Sequence, residues 1–303
     1  MGRLFFLLMV SLLASACAQL PSSQPAQSTT ASDLGVMVMA HGGGEEWNAG
    51  VLNVVEPLKD NYNIEVAFGM ADAYSLQETV STLEASGAKR IVVVRLFVSG
   101  ESWYERTQQI LGLQEGAPER AEAPMGMQMP GMRMEFWQLE SDASFAMSLE
   151  GLSEAEEMDQ ILLERALNLS ENPAVEDVLI LAHGPGDDDE NERWLANIGS
   201  RAELLETESP FRRVKVATLR EDWMDKREEA EREIRAFVEN ASNQNGRAIV
   251  LPYRVQGFGP YATVLEGLDY RADGQGLVPH PAVTQWIEGQ ILEMAQGEFS
   301  AGH

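Results

Sequence analysis

One phrase occurs twice in this chain and restricts its fold more than any other feature. Gly35-Val36-Met37-Val38-Met39-Ala40-His41-Gly42-Gly43-Gly44 returns in near-equivalent form as Asp177-Val178-Leu179-Ile180-Leu181-Ala182-His183-Gly184-Pro185-Gly186. Each is a short apolar run that ends in Ala-His-Gly and a turn of small residues. A run of this length, bounded by turn residues, reads as a β-strand buried on both faces. The His then stands at the carboxyl end of its strand, the edge of an open parallel sheet where ligands bind. Repetition of the device indicates two related halves, each offering one imidazole to a shared cleft.

The rest of the pattern is consistent with that frame. In the first half the apolar spacing predicts a strand from Leu34 to Ala40, a helix over Glu45 to Asp60, and a strand over Ile64 to Phe68. A helix over Tyr74 to Ser86, stopped by Gly87, and a strand over Ile91 to Val98 come next. Arg133 to Leu139 reads as a fourth strand and Ser153 to Leu169 as a helix with an acidic first turn. The second half reads as strands over Val175 to Ala182, Arg213 to Leu219 and Ala248 to Val255. Its helices are Arg193 to Leu205, Trp223 to Asn240, Tyr261 to Gly267 and Ala282 to Ala295. Strands alternating with helices of this length imply right-handed βαβ units around parallel sheets. The fold class is therefore α/β, with residues 33–170 and 171–303 as two halves that face one cleft.

Charge narrows the partners. The chain of 303 residues carries 48 acidic against 22 basic side chains, a formal net charge of -26. Phosphate backbones need Lys and Arg surfaces, so nucleic acid is not an expected partner. An acidic surface attracts cations, and it also serves simply to keep a protein solvated. The amino terminus is set apart: Arg3 is followed by the apolar stretch Leu4 to Leu13 and then by Ala14-Ser15-Ala16-Cys17. Residues 1–17 read as a secretory signal, too short and wrongly flanked for a membrane span. The stretch resembles a bacterial lipoprotein signal, in which such a cysteine is lipidated and becomes the new amino terminus. Ala-Ser-Ala fits ordinary signal cleavage as well. Residues 18–32, rich in Ser, Gln, Ala, Pro and Thr, read as a flexible tether. With Cys17 the only cysteine, disulfides and thiolate metal ligands are excluded.

Several stretches together resemble the class II tetrapyrrole chelatases, the sirohydrochlorin cobalto- and ferrochelatases. In the first half these are Ala40-His41-Gly42, Val66-Ala67-Phe68-Gly69-Met70-Ala71-Asp72 with Ser75-Leu76, Gly87 to Val94, and Leu96-Phe97-Val98-Ser99-Gly100. The second half adds Ala182-His183-Gly184, Ile249-Val250-Leu251-Pro252-Tyr253 and Pro279-His280-Pro281. The resemblance spans most of residues 34 to 295. It implies insertion of a divalent metal, Co, Ni or Fe, into a tetrapyrrole, with no organic cofactor. It also implies that His41 and His183 are the metal ligands. Neutral imidazole suits these borderline ions, and a basic group must take the pyrrole protons that insertion releases. Gly42 and Gly43, with Gly44, would let a flat ring approach the backbone. Single-domain members carry a second His shortly after the third strand. Here that place reads Gly100-Glu101-Ser102-Trp103, and the second half reads Gln256-Gly257-Phe258. Glu101 is then the candidate replacement as ligand or acid–base group, and Trp103 the candidate to stack on a ring.

Each of these features has a plainer reading. A strand-end His can be a structural hydrogen-bonding residue, and a loop Glu is ordinarily just solvated. His280, between two prolines at a helix start, reads as a cap. Asp187 to Glu190 reads as the opening of a helix, where negative charge is favourable, with cation gathering as the alternative. Met125, Met127, Met129, Met132 and Met134 suit Cu(I) by their thioethers, but methionine more commonly fills apolar gaps. Two functions remain: a sirohydrochlorin-type chelatase, or an exported, periplasmic metal- or tetrapyrrole-binding lipoprotein without catalysis, held at the membrane by a lipid on Cys17. Replacing Cys17 with Ser is expected to abolish incorporation of labelled fatty acid and to move the protein from the membrane fraction to the soluble one. A wild-type protein that takes up no label and is recovered soluble would point to ordinary cleavage.

Overall fold

The structure is a computed structural model, and it describes residues 33–120 and 134–302. Cys17, the signal and tether stretches, Arg133 and the methionines from Met125 to Met132 lie outside the described residues. Among the described residues no helix is long and apolar enough to cross a membrane.

The first half begins with β1 (Leu34–Ala40), α1 (Glu45–Val55), β2 (Asn63–Phe68), α2 (Ala73–Ala85), β3 (Arg90–Leu96) and α3 (Tyr104–Ile110). It ends with β4 (Ser144–Met147) and α4 (Glu157–Leu169). The second half repeats the order with β5 (Glu176–Ala182), α5 (Asp188–Glu208), β6 (Arg213–Thr218), α6 (Met224–Asn243), β7 (Arg247–Tyr253), α7 (Tyr261–Val264), β8 (Tyr270–Arg271) and α8 (Pro281–Gln296). A last short strand, β9 (Ser300–Ala301), follows. One sheet runs β2-β1-β3-β4 in parallel, with β9 antiparallel at its edge. The other runs β6-β5-β7-β8, all parallel. The two sheets therefore share one strand order, as the repeated phrase requires. In both, the strand carrying the phrase is buried along nearly its whole length.

Alternation of side chains across each strand divides the core into three. Met37, Met39, Ile91 and Val93 face outward under α2, and Leu179, Leu181 and Val250 face outward under α6. The inner-facing residues Val36, Val38, Val92, Val178, Ile180 and Ile249 belong to one continuous core together with α1, α4, α5 and α8. Two of those helices are exchanged. The closing helix of the first half, α4, packs on α5 and β7 of the second. The closing helix of the second half, α8, packs on α1, β3 and β4 of the first. All the described residues consequently fall in one compact unit. The boundary near residue 170 marks where the chain passes between sheets that share a core.

Local differences from the sequence expectations have physical causes. The fourth strand of the first sheet is Ser144–Met147, and the described part of 133–139 forms no strand. Trp137 and Leu139 are buried as their alternation suggests, but they cover the outer-face cluster. The backbone amides of Gln138 and Leu139 go to Pro118 O and Ile110 O, at 2.9 and 2.8 Å, so no sheet ladder forms there. Met134, placed with that strand by its sequence, is 43% exposed. Helix α1 stops at Val55 and gives way to a 3-10 turn over Glu56–Leu58, because Pro57 has no amide to continue the α-helical ladder. Helix α4 starts at Glu157 because the carboxylate of Glu154 turns back to the amides of Gly151 and Gly100, at 2.7 and 3.3 Å. Asp187 caps α5 by accepting from the Glu190 amide at 2.9 Å, so the acidic run does open a helix.

Polar contacts pin the shared core. The buried Tyr253 hydroxyl on β7 donates to Leu152 O at 2.7 Å, and Thr284 Oγ1 on α8 donates to Val54 O at 2.8 Å. Tyr253→Phe leaves the Leu152 carbonyl unpaired in an apolar interior. Its expected cost is about 1–2 kcal/mol, read as a lower urea midpoint. Tertiary fluorescence and far-UV circular dichroism should still report one coincident transition, since both halves share the core.

Candidate functional site

The two His–Gly turns have the same conformation. Gly42 has φ +79° and Gly184 has φ +78°, left-handed values that favour glycine. His41 Nδ1 lies 2.7 Å from Gly42 O, and His183 Nδ1 lies 2.7 Å from Gly184 O. A carbonyl only accepts, so Nδ1 carries the ring proton in both and Nε2 points away from the turn as the remaining donor atom. After each turn the neighbouring strand keeps the ladder going: Gly69 N donates to Ala40 O at 2.8 Å and Leu219 N to Ala182 O at 2.9 Å. A Cβ on Gly42 would come within 3.1 Å of Phe68 Cβ at the end of β2, and one on Gly184 within 2.5 Å of Thr218 Cβ at the end of β6. The glycines are thus explained by backbone geometry.

Gly43 has a similar explanation. A Cβ there would meet the Trp47 ring at 2.9 Å, and one on Gly186 would lie 2.0 Å from Trp223 Nε1. The space that Gly42 and Gly43 leave beside the turn, expected to admit a flat ring, is occupied by side chains of the protein itself. Trp47 and Trp223 also accompany the imidazoles: ring centroids are 6.1 Å apart for His41–Trp47 and 6.0 Å for His183–Trp223. Sequence reasoning singled out neither tryptophan. Trp47 lies on the first turns of α1 and Trp223 follows β6, so no shared motif marks them. Trp103, the expected stacking residue, has φ +59° at the start of α3 and packs against the outer-face cluster of the first sheet.

The surroundings of the two imidazoles differ. Among the described residues no cluster of three or more His, Cys, Asp or Glu is arranged to hold a metal ion. His183 nevertheless has acidic company: Nε2 lies 3.1 Å from Asp222 Oδ2 and 3.9 Å from Glu221 Oε2. Glu221 is itself ion-paired with Arg254. The turn before them is clamped by Arg220, whose guanidinium donates to the carbonyls of Pro185 and Gly186 and to Asp188. Lys226 donates to Gly186 O and to Asp188 Oδ1 at 2.7 and 2.6 Å. Asp222 and Glu221 reach His183 only through the fold, 39 and 38 positions along the chain, and no local pattern announces them.

Glu101 is committed elsewhere. It stands in the loop after β3, and Arg193 of α5 grips it with two hydrogen bonds, Nε to Oε1 at 2.6 Å and Nη2 to Oε2 at 2.7 Å. This fork holds the Glu101 carboxyl below the usual glutamate range, against a smaller upward push from burial. A carboxyl held ionised cannot serve as an acid near neutral pH. The loop is itself supported from below. Arg95, buried on β3, donates to Gly100 O at 2.9 Å, to Ser148 O at 3.2 Å and to Ser102 O. Burial pushes Arg95 down to about 10, which leaves it charged at neutral pH. Glu154 ties Gly100 N to Asn197 of α5, the latter at 2.8 Å. On the other side of the pseudo-repeat, the Gln256 side chain after β7 lies against Gly50 of α1. The carboxyl ends of β3 and β7 thus each touch the first helix of the opposite half.

His280 behaves as the capping residue its sequence suggests. Its Nδ1 accepts from the Ala282 amide at 3.1 Å at the start of α8, and Nε2 lies 3.2 Å from Glu164. It lines a cavity of about 280 Å³ against α4 that contains neither His41 nor His183.

No protein-family model matches the chain, and no curated protein matches it. Among solved structures it is similar to SirB from Bacillus subtilis with Fe3+, at 15% identity and a TM-score of 0.59, over 88% of this chain and 98% of that one. It is also similar to the sirohydrochlorin chelatase SirB from Bacillus subtilis subspecies spizizenii in complex with cobalt. That match has 13% identity and a TM-score of 0.55, over 87% of this chain and 95% of the other. At such identities the likeness establishes the fold, a chelatase-like pair of parallel sheets flanked by helices.

The Glu101–Arg193 contact gives a direct expectation. In carboxyl-carbon NMR, Glu101 should titrate below the usual glutamate range, and Arg193→Gln should return it toward that range. An unshifted Glu101 in the wild type would mean the fork does not form in solution.

Proposed function

We propose that the space between the two His turns receives a divalent transition-metal ion as substrate and inserts it into a tetrapyrrole, as a sirohydrochlorin-type chelatase does. The observation that carries this reading is the twin turn: two imidazoles, anchored alike through Nδ1, each keeping Nε2 as a metal donor at the carboxyl end of its sheet. Second-shell anchoring of that kind fixes the tautomer and orientation of a metal-binding His. The chelatase-like fold and the solved structures of similar proteins with Fe3+ and cobalt agree with it.

The spacing at His183 adds chemical detail. Two donors each about 2.1 Å from one ion, and at right angles, stand about 3 Å apart; Nε2 and Asp222 Oδ2 are 3.1 Å apart. An incomplete ligand set suits a metal that must leave again. Asp222, whose side chain is 73% exposed, can then take a pyrrole proton and release it to water. Export and lipid anchoring belong to the same proposal and rest on residues 1–32.

A second reading, binding without insertion, is favoured by the engagement of Glu101 with Arg193, which commits the carboxylate expected to assist insertion. Mixing the protein with sirohydrochlorin and Co2+ and following the absorption change separates the two. Insertion faster than the uncatalysed background supports the enzyme; a rate equal to background leaves the binding reading. Cobalt affinity should weaken more than about 10-fold in His41→Ala and in His183→Ala, the scale set by loss of even a supporting partner of a metal ligand. Unchanged affinity in both would place the ion elsewhere and remove both readings.

A further inference from the structure

The Glu101–Arg193 pair has features that a structural clasp does not need. Both side chains are about half exposed, at 49% and 52%, so the contact adds little to stability. Its geometry is nevertheless the two-pronged one with which guanidinium binds a carboxylate most selectively. It bridges the halves beside the His183 turn, in a chain whose net charge of -26 repels anions. Arg193 also lies in the field of Asp187 and Glu190, which together with Glu101 raise its pKa. A polycarboxylate ring entering here therefore needs a local cation, and the cation already holds a carboxylate.

We propose that Arg193 is a binding subsite for a carboxylate arm of the ligand, and that Glu101 is its built-in occupant, which the arm displaces on entry. The inference rests on the tetrapyrrole reading above and deepens it, since it specifies a ring bearing acidic arms. Exchange of one carboxylate for another keeps the Arg193 guanidinium paired throughout, while the Glu101 side chain turns toward solvent. The loop itself stays in place, because its carbonyls and the Gly100 amide are fixed by Arg95 and Glu154. An arm of the wrong charge gains nothing from the exchange and leaves the latch shut.

The test uses two metal-free probes: uroporphyrin, a porphyrin ringed by carboxylates, and a porphyrin of similar size with quaternary ammonium arms. Affinities are read from the shift of the main absorption band for the wild type, Glu101→Gln, Arg193→Gln and the double variant. Removing the internal competitor should tighten uroporphyrin binding about 2–5-fold in Glu101→Gln, the scale of an exposed ion pair. Arg193→Gln and the double variant should bind it about 10-fold more weakly than Glu101→Gln. The cationic porphyrin should not bind more tightly to Glu101→Gln. Tightening for both probes would mean that the pair is merely a clasp closing the cleft, and tightening for neither would mean that Glu101 competes with nothing; either result overturns the proposal. Cobalt titration of the same samples separates the two levels. If the His-dependent cobalt site is present and Glu101→Gln is unchanged toward uroporphyrin, the latch alone is lost. If that cobalt site is missing too, the function reading falls with it.

Discussion

Neither parallel sheet covers its inner face with helices of its own half alone. The core of this protein depends on that constraint. Val36, Val38 and Val92 on one side and Val178, Ile180 and Ile249 on the other are buried only because α4 and α8 cross to the opposite half. Burial of apolar area is the dominant favourable contribution to folding, and here it is assembled from both halves at once. The orientation of the sheets follows from it. Once α4 lies on β7 and α8 on β3, the carboxyl ends of those strands meet α1 and α5 of the opposite halves.

The polar groups around the two His turns divide the work unequally. The second turn is rigid: Arg220 and Lys226 hold its carbonyls, Asp187 caps the helix behind it, and Asp222 engages the imidazole. The first turn has lighter support. Gly43 N donates to Asn48 Oδ1 at 2.9 Å, and Gly44 caps α1 without a side-chain bond. Two copies of one device have thus become a firm donor with acidic neighbours and a more loosely held one with an aromatic neighbour.

Much of the architecture could be read from sequence because it is written in local patterns. Apolar runs of strand length, helical spacing and glycine stops are short-range signals, and they placed the strands from β1 to β3 and from β5 to β7. The fourth strand of the first sheet was misplaced because alternation reports burial and not pairing. Trp137 and Leu139 are buried, but the amides of Gln138 and Leu139 turn to Pro118 and Ile110. The site was legible to the extent of its repeated phrase. Glu101 was marked by its position after β3, yet its engagement depends on Arg193, 92 residues away. Asp222, Trp47 and Trp223 reach the imidazoles through the fold or from outside any repeated motif, and a linear reading has no signal for them.

The exchange of closing helices has a bearing on how such a molecule could arise. A single half on its own would hold its last helix away from its own sheet and leave part of the inner face uncovered. A second identical copy would supply the missing cover by the same reciprocal contact. The arrangement is therefore that of a swapped homodimer whose protomers have been fused end to end. Fusion frees each copy to diverge, because symmetry no longer forces the two active edges to change together.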